Sequence, residues 1–254
     1  MKIATWNVNS IRVRLPHIID WLSTQQPDVL CLQETKVIDE LFPAEALQEV
    51  GYESIYCGQK TYNGVAILSK STAEDVLRQP AALQDEQKRC IVATIDNVRV
   101  INVYVPNGSE VGSDKYQYKL QWLRQLHAHL KNELKLYEQL VIVGDYNIAP
   151  EDSDVHDPEA WQGSVLVSDK ERDAFQAMLA MGLVDVFRQF EQEEDSYSWW
   201  DYRAAAFRRN RGLRIDHILC SEALSRQCHS CVIDKEPRSW DKPSDHAPVV
   251  AEFK

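Results

Sequence analysis

Short apolar runs recur along the whole 254-residue chain, and several of them end in an amide or an acid. Their length and composition predict buried β-strands at 2–6, 28–32, 64–68, 90–95, 98–105, 139–143, 214–219 and 248–253. Helical periodicity lies between these runs, at 14–25, 115–136 and 170–181. Strands and helices mix irregularly, which disfavours a dinucleotide-binding or barrel design. The pattern predicts a layered α/β sandwich with mixed sheets.

No linker or change of composition divides the chain, so we expect a single domain over 1–254. The longest apolar runs, such as 65–68 and 140–143, are far shorter than the roughly 18 residues of a membrane span. The N-terminus has no apolar signal-peptide core. We therefore expect a cytoplasmic protein that makes no membrane contact, with its six cysteines as free thiols.

Sequence motifs of several common enzyme classes are missing. No two of the nine glycines are spaced as G-x-G, and the chain has no phosphate-binding Walker loop. It also lacks a G-x-S-x-G elbow and an H-E-x-x-H pair. These absences disfavour dinucleotide-binding, serine-hydrolase and zinc-protease chemistry.

Polar side chains collect where the predicted strands end. Such ends often build the ligand sites of layered α/β folds. Asn and Asp also make good turns, and for any single position that explanation stays open. Five polar ends together, and a Glu directly after an apolar strand, favour a site. The residues concerned are Asn7, Asn9, Gln33, Glu34, Asn102, Tyr104, Asn107, Asp145, Asn147, Asp245 and His246.

The candidate ligands offer mainly oxygen, which suits Mg²⁺ or Mn²⁺ better than Zn²⁺. Acids, amides and a histidine together point to metal-assisted phosphoryl transfer. Cys228 and Cys231 resemble half of a zinc site, but no second pair follows at zinc spacing. On its strand His217 points away from Asp216, so we expect a core or surface role for it. We expect His127 and His129 to be solvated.

The charge of the chain is unevenly distributed. The net charge is −11, yet residues 202–215 hold five arginines and no acid, which leaves −16 for the remainder. Trp199 and Trp200 precede this basic stretch, and together they resemble a surface that grips phosphates and stacks on bases or sugars. Lys115 and Lys119 could extend it. A solvated loop with buried tryptophans is an equally open reading.

Seven motifs then form a familiar set: WNVNS at 6–10, LQETK at 32–36, NVYVPNG at 102–108, GDYNIAP at 144–150, SWWDYR at 198–203, NRGLRIDHIL at 210–219 and KPSDHAPV at 242–249. In this order they resemble the exonuclease III family of abasic-site endonucleases, most closely its bacterial type. The resemblance implies a four-layered α/β sandwich of two packed mixed sheets, the DNase I-like or endonuclease-exonuclease-phosphatase fold.

The resemblance also implies roles for individual residues. Metal binding is implied for Asn7, Glu34, Asp145, Asn147, Asp245 and His246. Catalysis is implied for Tyr104, Asp145, Asn147, Asp216 and His246, with Asp145 acting on the attacking water and Asp216 orienting His246. DNA contact is expected for Asn107, Arg203, Arg208, Arg209, Arg211, Trp199, Trp200, Leu213 and Ile215. Trp199, Leu213 and Ile215 would form a small apolar pocket for a flipped-out abasic sugar.

The implied activity is that of a Mg²⁺-dependent repair nuclease, with Mn²⁺ as a substitute. It would cut double-stranded DNA 5′ to abasic sites and process blocked 3′ ends as phosphatase, phosphodiesterase and exonuclease, as a monomer in the bacterial cytoplasm. Asn9 stands where some relatives carry Asp, and Leu213 where some carry Trp. Two alternatives remain: a phosphatase or phosphodiesterase for a non-DNA substrate, and a non-catalytic nucleic-acid-binding regulator on the same fold.

Overall fold

Two six-stranded sheets form the centre of the molecule, as seen in a computed structural model that describes residues 1–83 and 85–254. The strands are β1 Lys2–Asn7, β2 Val29–Gln33, β3 Glu53–Cys57, β4 Val65–Ser69, β5 Glu74–Arg78, β6 Cys90–Ile95, β7 Val98–Tyr104, β8 Leu140–Asp145, β9 Leu183–Asp185, β10 Asp216–Ser221, β11 Cys228–Ile233 and β12 Val249–Phe253. Sheet A has the order β11-β12-β1-β2-β4-β3, and sheet B the order β5-β6-β7-β8-β10-β9. Each sheet has one parallel pair, β1–β2 or β7–β8, among antiparallel neighbours.

Helices cover the outer faces of the two sheets. The α-helices are α1 Ile11–Gln25, α2 Ala44–Glu49, α3 Asp114–Leu136, α4 Pro158–Trp161, α5 Asp169–Leu179 and α6 Glu222–Ser225. Short 3₁₀ helices lie at Asp39–Leu41, Ala81–Leu83, Asp152–Asp154, Val186–Gln189 and Glu236–Ser239. Side chains of α1 pack on sheet A, and those of α3 and α5 pack on sheet B.

The central strands are apolar on both faces because both faces are covered. Ile3 and Cys31 lie in the core between the sheets, whereas Ala4 and Leu30 pack outward beneath α1. Adjacent strand residues point to opposite faces, so a strand covered on both sides reads as a continuous apolar run. The four layers, helix, sheet, sheet and helix, confirm the predicted fold class.

The long helix α3 follows its leucine pattern. Ser113 caps its first turn, with Oγ accepting a hydrogen bond from the Tyr116 amide at 3.2 Å. Leu123, Leu126 and Leu130 are buried against sheet B. The apolar stripe therefore fixes which face of α3 packs on the sheet.

The structure also corrects several expectations. All eight predicted strands are present with ends shifted by up to two residues, but β3, β5, β9 and β11 were not predicted. His129 is buried beside Glu133, and His127 is half-buried, so neither is a freely solvated side chain. Lys119 is fully buried and cannot extend a basic surface.

Among the helices that the structure describes, none is long and apolar enough to cross a membrane. The six cysteines, all of which lie in the described ranges, are free thiols as predicted, and only Cys228 is more than marginally accessible.

Candidate active site

The parallel strand pairs of both sheets end at one place. In sheet A, Asn7 at the end of β1 lies beside Gln33 at the end of β2. In sheet B, Asp145 at the end of β8 is flanked by Tyr104 of β7 and Asp216 of β10. The register of three neighbouring strands thus places Tyr104, Asp145 and Asp216 in one row, next to the polar end of sheet A.

Asn7 joins the two sheets by bridging two carboxylates. Its Nδ2 donates to Glu34 Oε1 and to Asp145 Oδ2, each at 2.9 Å. Its Oδ1 accepts a hydrogen bond from the Asn9 amide at 3.0 Å. In this arrangement Asn7 acts toward the two acids as a donor, and its oxygen faces the turn that follows β1.

Glu34 directly follows β2 and faces a lysine. Its backbone is left-handed, with φ of 52°, and its Oε2 lies 2.7 Å from Lys36 Nζ. Burial alone would raise the pKa of Glu34, but the Lys36 ammonium and the Asn7 amide outweigh it, so the pKa is lowered. Glu34 is therefore an ionised carboxylate at neutral pH.

His246 is held between two acids. Its Nδ1 donates to Asp216 Oδ2 at 2.8 Å, and its Nε2 lies 3.7 Å from Asp145 Oδ2. Ser198 Oγ donates to the same Asp216 oxygen at 2.7 Å. The other Asp216 oxygen, Oδ1, is buried without a hydrogen-bond partner among the described residues. The pair orients the imidazole and directs Nε2 toward Asp145.

The pKa values of His246 and Asp145 are both raised, but for different physical reasons. Burial would lower the pKa of His246, but Asp216, Asp145 and Asp245 reverse the effect and raise it to about 10. Burial raises the pKa of Asp145 to about 7; His246 opposes this rise and Asp216 adds to it. At neutral pH the histidine is therefore a cation, which can stabilise negative charge placed near Nε2.

Tyr104 and Asn147 are both immediate neighbours of Asp145. Burial, together with the charges of Glu34 and Asp145, raises the pKa of Tyr104 well above its usual 10, so the phenol keeps its proton. The backbone amide of Asn147 donates to Asp145 Oδ1 at 2.9 Å. Asn147 Oδ1 accepts from Asn107 Nδ2 at 3.0 Å, which connects the two loops that follow β7 and β8.

Gly144 allows β7 and β8 to meet closely directly before Asp145. Its φ is +149°, and a Cβ built on it would lie 1.9 Å from the Val103 carbonyl oxygen. A side chain at this position would push the two strands apart and displace Asp145 from Tyr104.

Asp245 links the histidine to the Trp-containing loop. Its Oδ1 accepts from Asn9 Nδ2 at 2.9 Å and its Oδ2 from Trp199 Nε1 at 3.0 Å. Burial would raise its pKa, but His246 and these two donors lower it. Both oxygens already have partners, so Asp245 here connects Asn9, Trp199 and the loop that carries His246.

The donor set fits a divalent cation with hard oxygen ligands. Asp145, Asp216 and His246 each offer a ligand atom, and these atoms lie within 4.8 Å of one another. Glu34 shares the Asn7 amide with Asp145, and the Lys36 ammonium marks a place where Glu34 attracts a cation. Asp216 Oδ1, which has no hydrogen-bond partner within the described ranges, is a further free acceptor of the same carboxylate.

The predicted DNA-contact residues fall into two sets. Arg203, Arg208, Arg209 and Arg211 are exposed, as a phosphate-binding loop requires. The stacking role of Trp200 is wrong, because this side chain is fully buried against Phe207 and donates Nε1–H to Asn210 at 3.1 Å.

The fifth arginine of the basic window also does not belong to the surface. Arg214 is buried, and its guanidinium contacts Asp154 at 2.6 Å and Asp185 at 2.9 Å. The exposed basic surface of this loop is therefore one charge weaker than the sequence suggested.

The predicted apolar pocket residues do lie together. Trp199 forms isolated β-bridges with both Leu213 and His246, so this cluster adjoins the His246–Asp216 pair. Leu213 and Ile215 are 0% and 2% exposed, and they pack with Val155 and Leu166. Only the half-buried Trp199 offers part of its side chain to the surface.

Two residues of the site were not predicted. Ser198 orients Asp216, and Lys36 neutralises Glu34. Both lie inside the quoted motifs, Ser198 at the start of SWWDYR and Lys36 at the end of LQETK. The motifs identified the segments that carry Ser198 and Lys36, but only the folded structure shows that these residues contact Asp216 and Glu34.

The fold and this constellation define a class of phosphoester hydrolases. The model of the Endonuclease/Exonuclease/phosphatase family matches residues 4–246, and the chain belongs to that family.

Individual relatives agree with the sequence resemblance to exonuclease III. The chain is 38% identical to exodeoxyribonuclease III of Haemophilus influenzae, with all of both chains covered. Among solved structures, a 3′ phosphatase from Neisseria called NExo, bound to a product DNA hairpin, superposes with a TM-score of 0.98 at 48% identity and covers 100% and 99% of the two chains. An AP endonuclease from Archaeoglobus fulgidus gives 0.96 at 42% identity, again over 100% and 99%.

Proposed function

We propose that this protein is a Mg²⁺-dependent DNA repair nuclease that hydrolyses the phosphodiester 5′ to abasic sites and removes blocking groups from 3′ ends. The observation that carries the proposal is the His246–Asp216 pair beside Asp145, Asn7 and Glu34, where the two sheets end together. The names of the relatives, an exodeoxyribonuclease, an AP endonuclease and a 3′ phosphatase, support this choice of substrate.

Glu34 and Asp145 would hold the cation, with Asp216 and His246 close by. A bound divalent cation supplies charge stabilisation and lowers the pKa of coordinated water. Asp145 accepts the proton of the attacking water, for which its buried carboxylate is positioned by the Asn7 and Asn147 donors. The His246 cation and the Tyr104 hydroxyl stabilise the charge that develops on the phosphate oxygens.

The DNA would lie along the exposed arginine loop. Arg203, Arg208, Arg209 and Arg211 would contact backbone phosphates, because such contacts position a duplex without reading its sequence. Asn107, bonded to Asn147, would contact the phosphate next to the scissile bond. We further propose that the protein works on this substrate as a monomer, as one domain over 1–254, in the bacterial cytoplasm.

A second candidate is an enzyme that acts mainly on 3′ ends. Leu213 and Ile215 are almost completely buried, so a flipped-out sugar would reach them only if the cluster with Trp199 opened. A terminal 3′-phosphate needs no such pocket, because it can enter the site without base flipping. The Neisseria 3′ phosphatase is a close structural neighbour.

Three labelled duplexes distinguish these functions: one with an abasic site, one with a 3′-phosphate and one with a plain recessed 3′ end. Each is incubated with Mg²⁺ and with EDTA. The variants are His246→Ala and, as a matched control, His229→Ala on the exposed part of β11. We expect metal-dependent incision at the abasic site that His246→Ala abolishes and His229→Ala preserves.

Processing of 3′ ends alone would select the second candidate. Hydrolysis of phosphoinositide or sphingomyelin but of none of the duplexes would move the substrate outside DNA. DNA binding without any metal-dependent cleavage would refute the enzymatic proposal.

A further inference from the structure

Lys119 is a fully buried lysine one layer behind the proposed active site. It lies on α3, and its Nζ donates to the backbone carbonyls of Asn147, at 2.6 Å, and Asn107, at 3.1 Å. These are the two loop residues whose side chains bond to each other beside Asp145. One ammonium group thus holds the backbone of both loops from behind.

Glu171 neutralises this lysine and extends the connection. Its carboxylate pairs with Lys119 Nζ, and neither side chain is exposed. The same carboxylate accepts from the amides of Leu166, at 3.1 Å, and Ser168, at 3.2 Å, at the start of α5. The ion pair therefore ties together the loops after β7 and β8 and the segment that leads into α5.

The loop after β7 is shaped to approach the lysine. Gly108 has a φ of +95°, and a Cβ built on it would lie 3.2 Å from Lys119 Cδ. Its carbonyl accepts from Ser113 Oγ, the cap of α3, at 3.1 Å. The glycine and the cap bring Asn107 close to the helix, within reach of the ammonium group.

A lysine is an expensive residue to bury, since its charge must be desolvated. Burial lowers the pKa of Lys119, and Glu171 and Asp145 oppose this shift. A shorter polar side chain on α3 could bond to one of the loops. Only a long stem with several donors reaches both carbonyls and the carboxylate at once.

We propose that Lys119 is a positioning residue, which fixes Asn107 and Asn147 at the cleavage site through their backbone carbonyls. This inference rests on the proposed nuclease function for its catalytic consequence. The Lys119–Glu171 pair would then hold Asn107 and Asn147 in the geometry that the transition state requires. A misplacement of about 1 Å can lower the rate on the order of 100-fold.

The chain contains a matched control for the effect of a buried ion pair on stability. Arg99 at the start of β7 pairs with Glu133 near the end of α3, at 2.7 Å, and both are buried. Asn107 follows the end of β7 and Lys119 lies in the first half of α3, whereas Arg99 and Glu133 lie at the other ends of the same strand and helix. Arg99→Met therefore removes a buried ion pair from the same interface without touching the site.

The experiment compares Lys119→Met, Arg99→Met and the double variant Lys119→Met/Glu171→Gln, which leaves no buried charge unpaired and guards against a failure to fold. Steady-state cleavage of the abasic and 3′-phosphate duplexes is measured well below each melting temperature. We expect kcat to fall by about 10- to 100-fold in both Lys119 variants, with KM within about 3-fold. Arg99→Met should keep kcat within about 2-fold despite its lower melting temperature.

Hydrogen exchange provides a readout that does not depend on cleavage. Peptides covering 104–110 and 145–150 should exchange at least about 10-fold faster in both Lys119 variants than in Arg99→Met. Recovery of kcat together with stability in the double variant would show that Lys119 serves stability alone and would overturn the proposal. Unchanged exchange in the two loops would overturn it as well. Wild-type protein that cleaves no duplex would refute the nuclease function, while the exchange data would still decide whether Lys119 anchors the loops.

Discussion

Asn102 is a buried amide that joins the two sheets, and its removal should weaken the whole sandwich. From β7 in sheet B, its Nδ2 donates to the carbonyls of Leu32, at 2.9 Å, and Ala66, at 2.8 Å, in sheet A. Its Oδ1 accepts from Gln33 Nε2 at 2.7 Å. The Asn102→Leu substitution keeps the size of the side chain and removes all three hydrogen bonds.

The expected cost follows from those three bonds. Each buried hydrogen bond contributes about 1 kcal/mol net, so Asn102→Leu should lower the free energy of unfolding by about 3 kcal/mol. Gln33→Leu should lower the free energy of unfolding by about 2 kcal/mol, because it removes the bonds to Asn102 and to Thr5 Oγ1. Gln33 Oε1 is already buried without a partner among the described residues, so its removal breaks no further bond. The double variant should cost about 4 kcal/mol, since the bond that the two residues share is lost only once.

Urea unfolding in EDTA, followed by circular dichroism, measures these differences. Asn132→Leu, on the exposed face of α3, is the control and should stay within about 0.5 kcal/mol of the wild type. If Asn102→Leu lowers the free energy of unfolding by less than about 1 kcal/mol, the argument is refuted, because the bonds to the Leu32 and Ala66 carbonyls would then contribute little to stability. Strict additivity in the double variant would show that the Gln33–Asn102 bond contributes nothing.

Three further predictions concern single sites. Burial and the Arg214 guanidinium lower the pKa of His217 from 6.5 to about 4. Between these two pH values the unfolded chain binds a proton that the native state does not. The free energy of unfolding should therefore fall as the pH drops from 6.5 toward 4. In urea titrations at pH 7 and pH 5, wild type should therefore lose about 2 kcal/mol more than His217→Gln, and an equal loss would contradict the assignment. Gly144→Ala should lower the free energy of unfolding by about 3 kcal/mol or more and abolish most of the activity. Gly182 also has a positive φ but open space around it, so Gly182→Ala should lower that free energy by only about 1 kcal/mol, as measured by thermal melting. Mg²⁺ at about ten times its Kd should stabilise the wild type by about 1.4 kcal/mol, and Glu34→Gln but not the exposed Glu40→Gln should abolish this gain in melting temperature.

The strands that sequence patterns predicted are those with both faces covered. β1, β2, β7 and β8 read as continuous apolar runs because helices and the second sheet bury them. β5, at the edge of sheet B, is mostly exposed and reads as a polar segment. β9 has only three residues. Such short or exposed edge strands carry no hydrophobic signal, since their place is fixed by pairing with a neighbour.

For the site, sequence patterns predicted which residues end the strands but not which charges are buried. Lys119 looked like an exposed basic side chain, because its partner Glu171 lies 52 residues further along the chain. Arg214 looked like part of the basic loop, although Asp154 and Asp185 bury it. A charge on a polar helix or loop gives no local sign of a distant partner, so only the folded chain separates the paired charges from the solvated ones.

The exposed arginine loop has a consequence for how the protein meets its substrate. Four arginines, Arg203, Arg208, Arg209 and Arg211, lie on one loop, and subtracting their charges from the net −11 leaves −15 for all other residues. The loop is anchored beside the site, since Tyr202 receives a hydrogen bond from Asn9 at 3.3 Å and Trp199 bridges to His246. In the field of a polyanion such a molecule experiences a torque, which turns the arginine side toward the phosphates while the rest is repelled. Encounters in another orientation are thereby disfavoured by repulsion, and the encounter complexes that last longer already have the site turned toward the DNA.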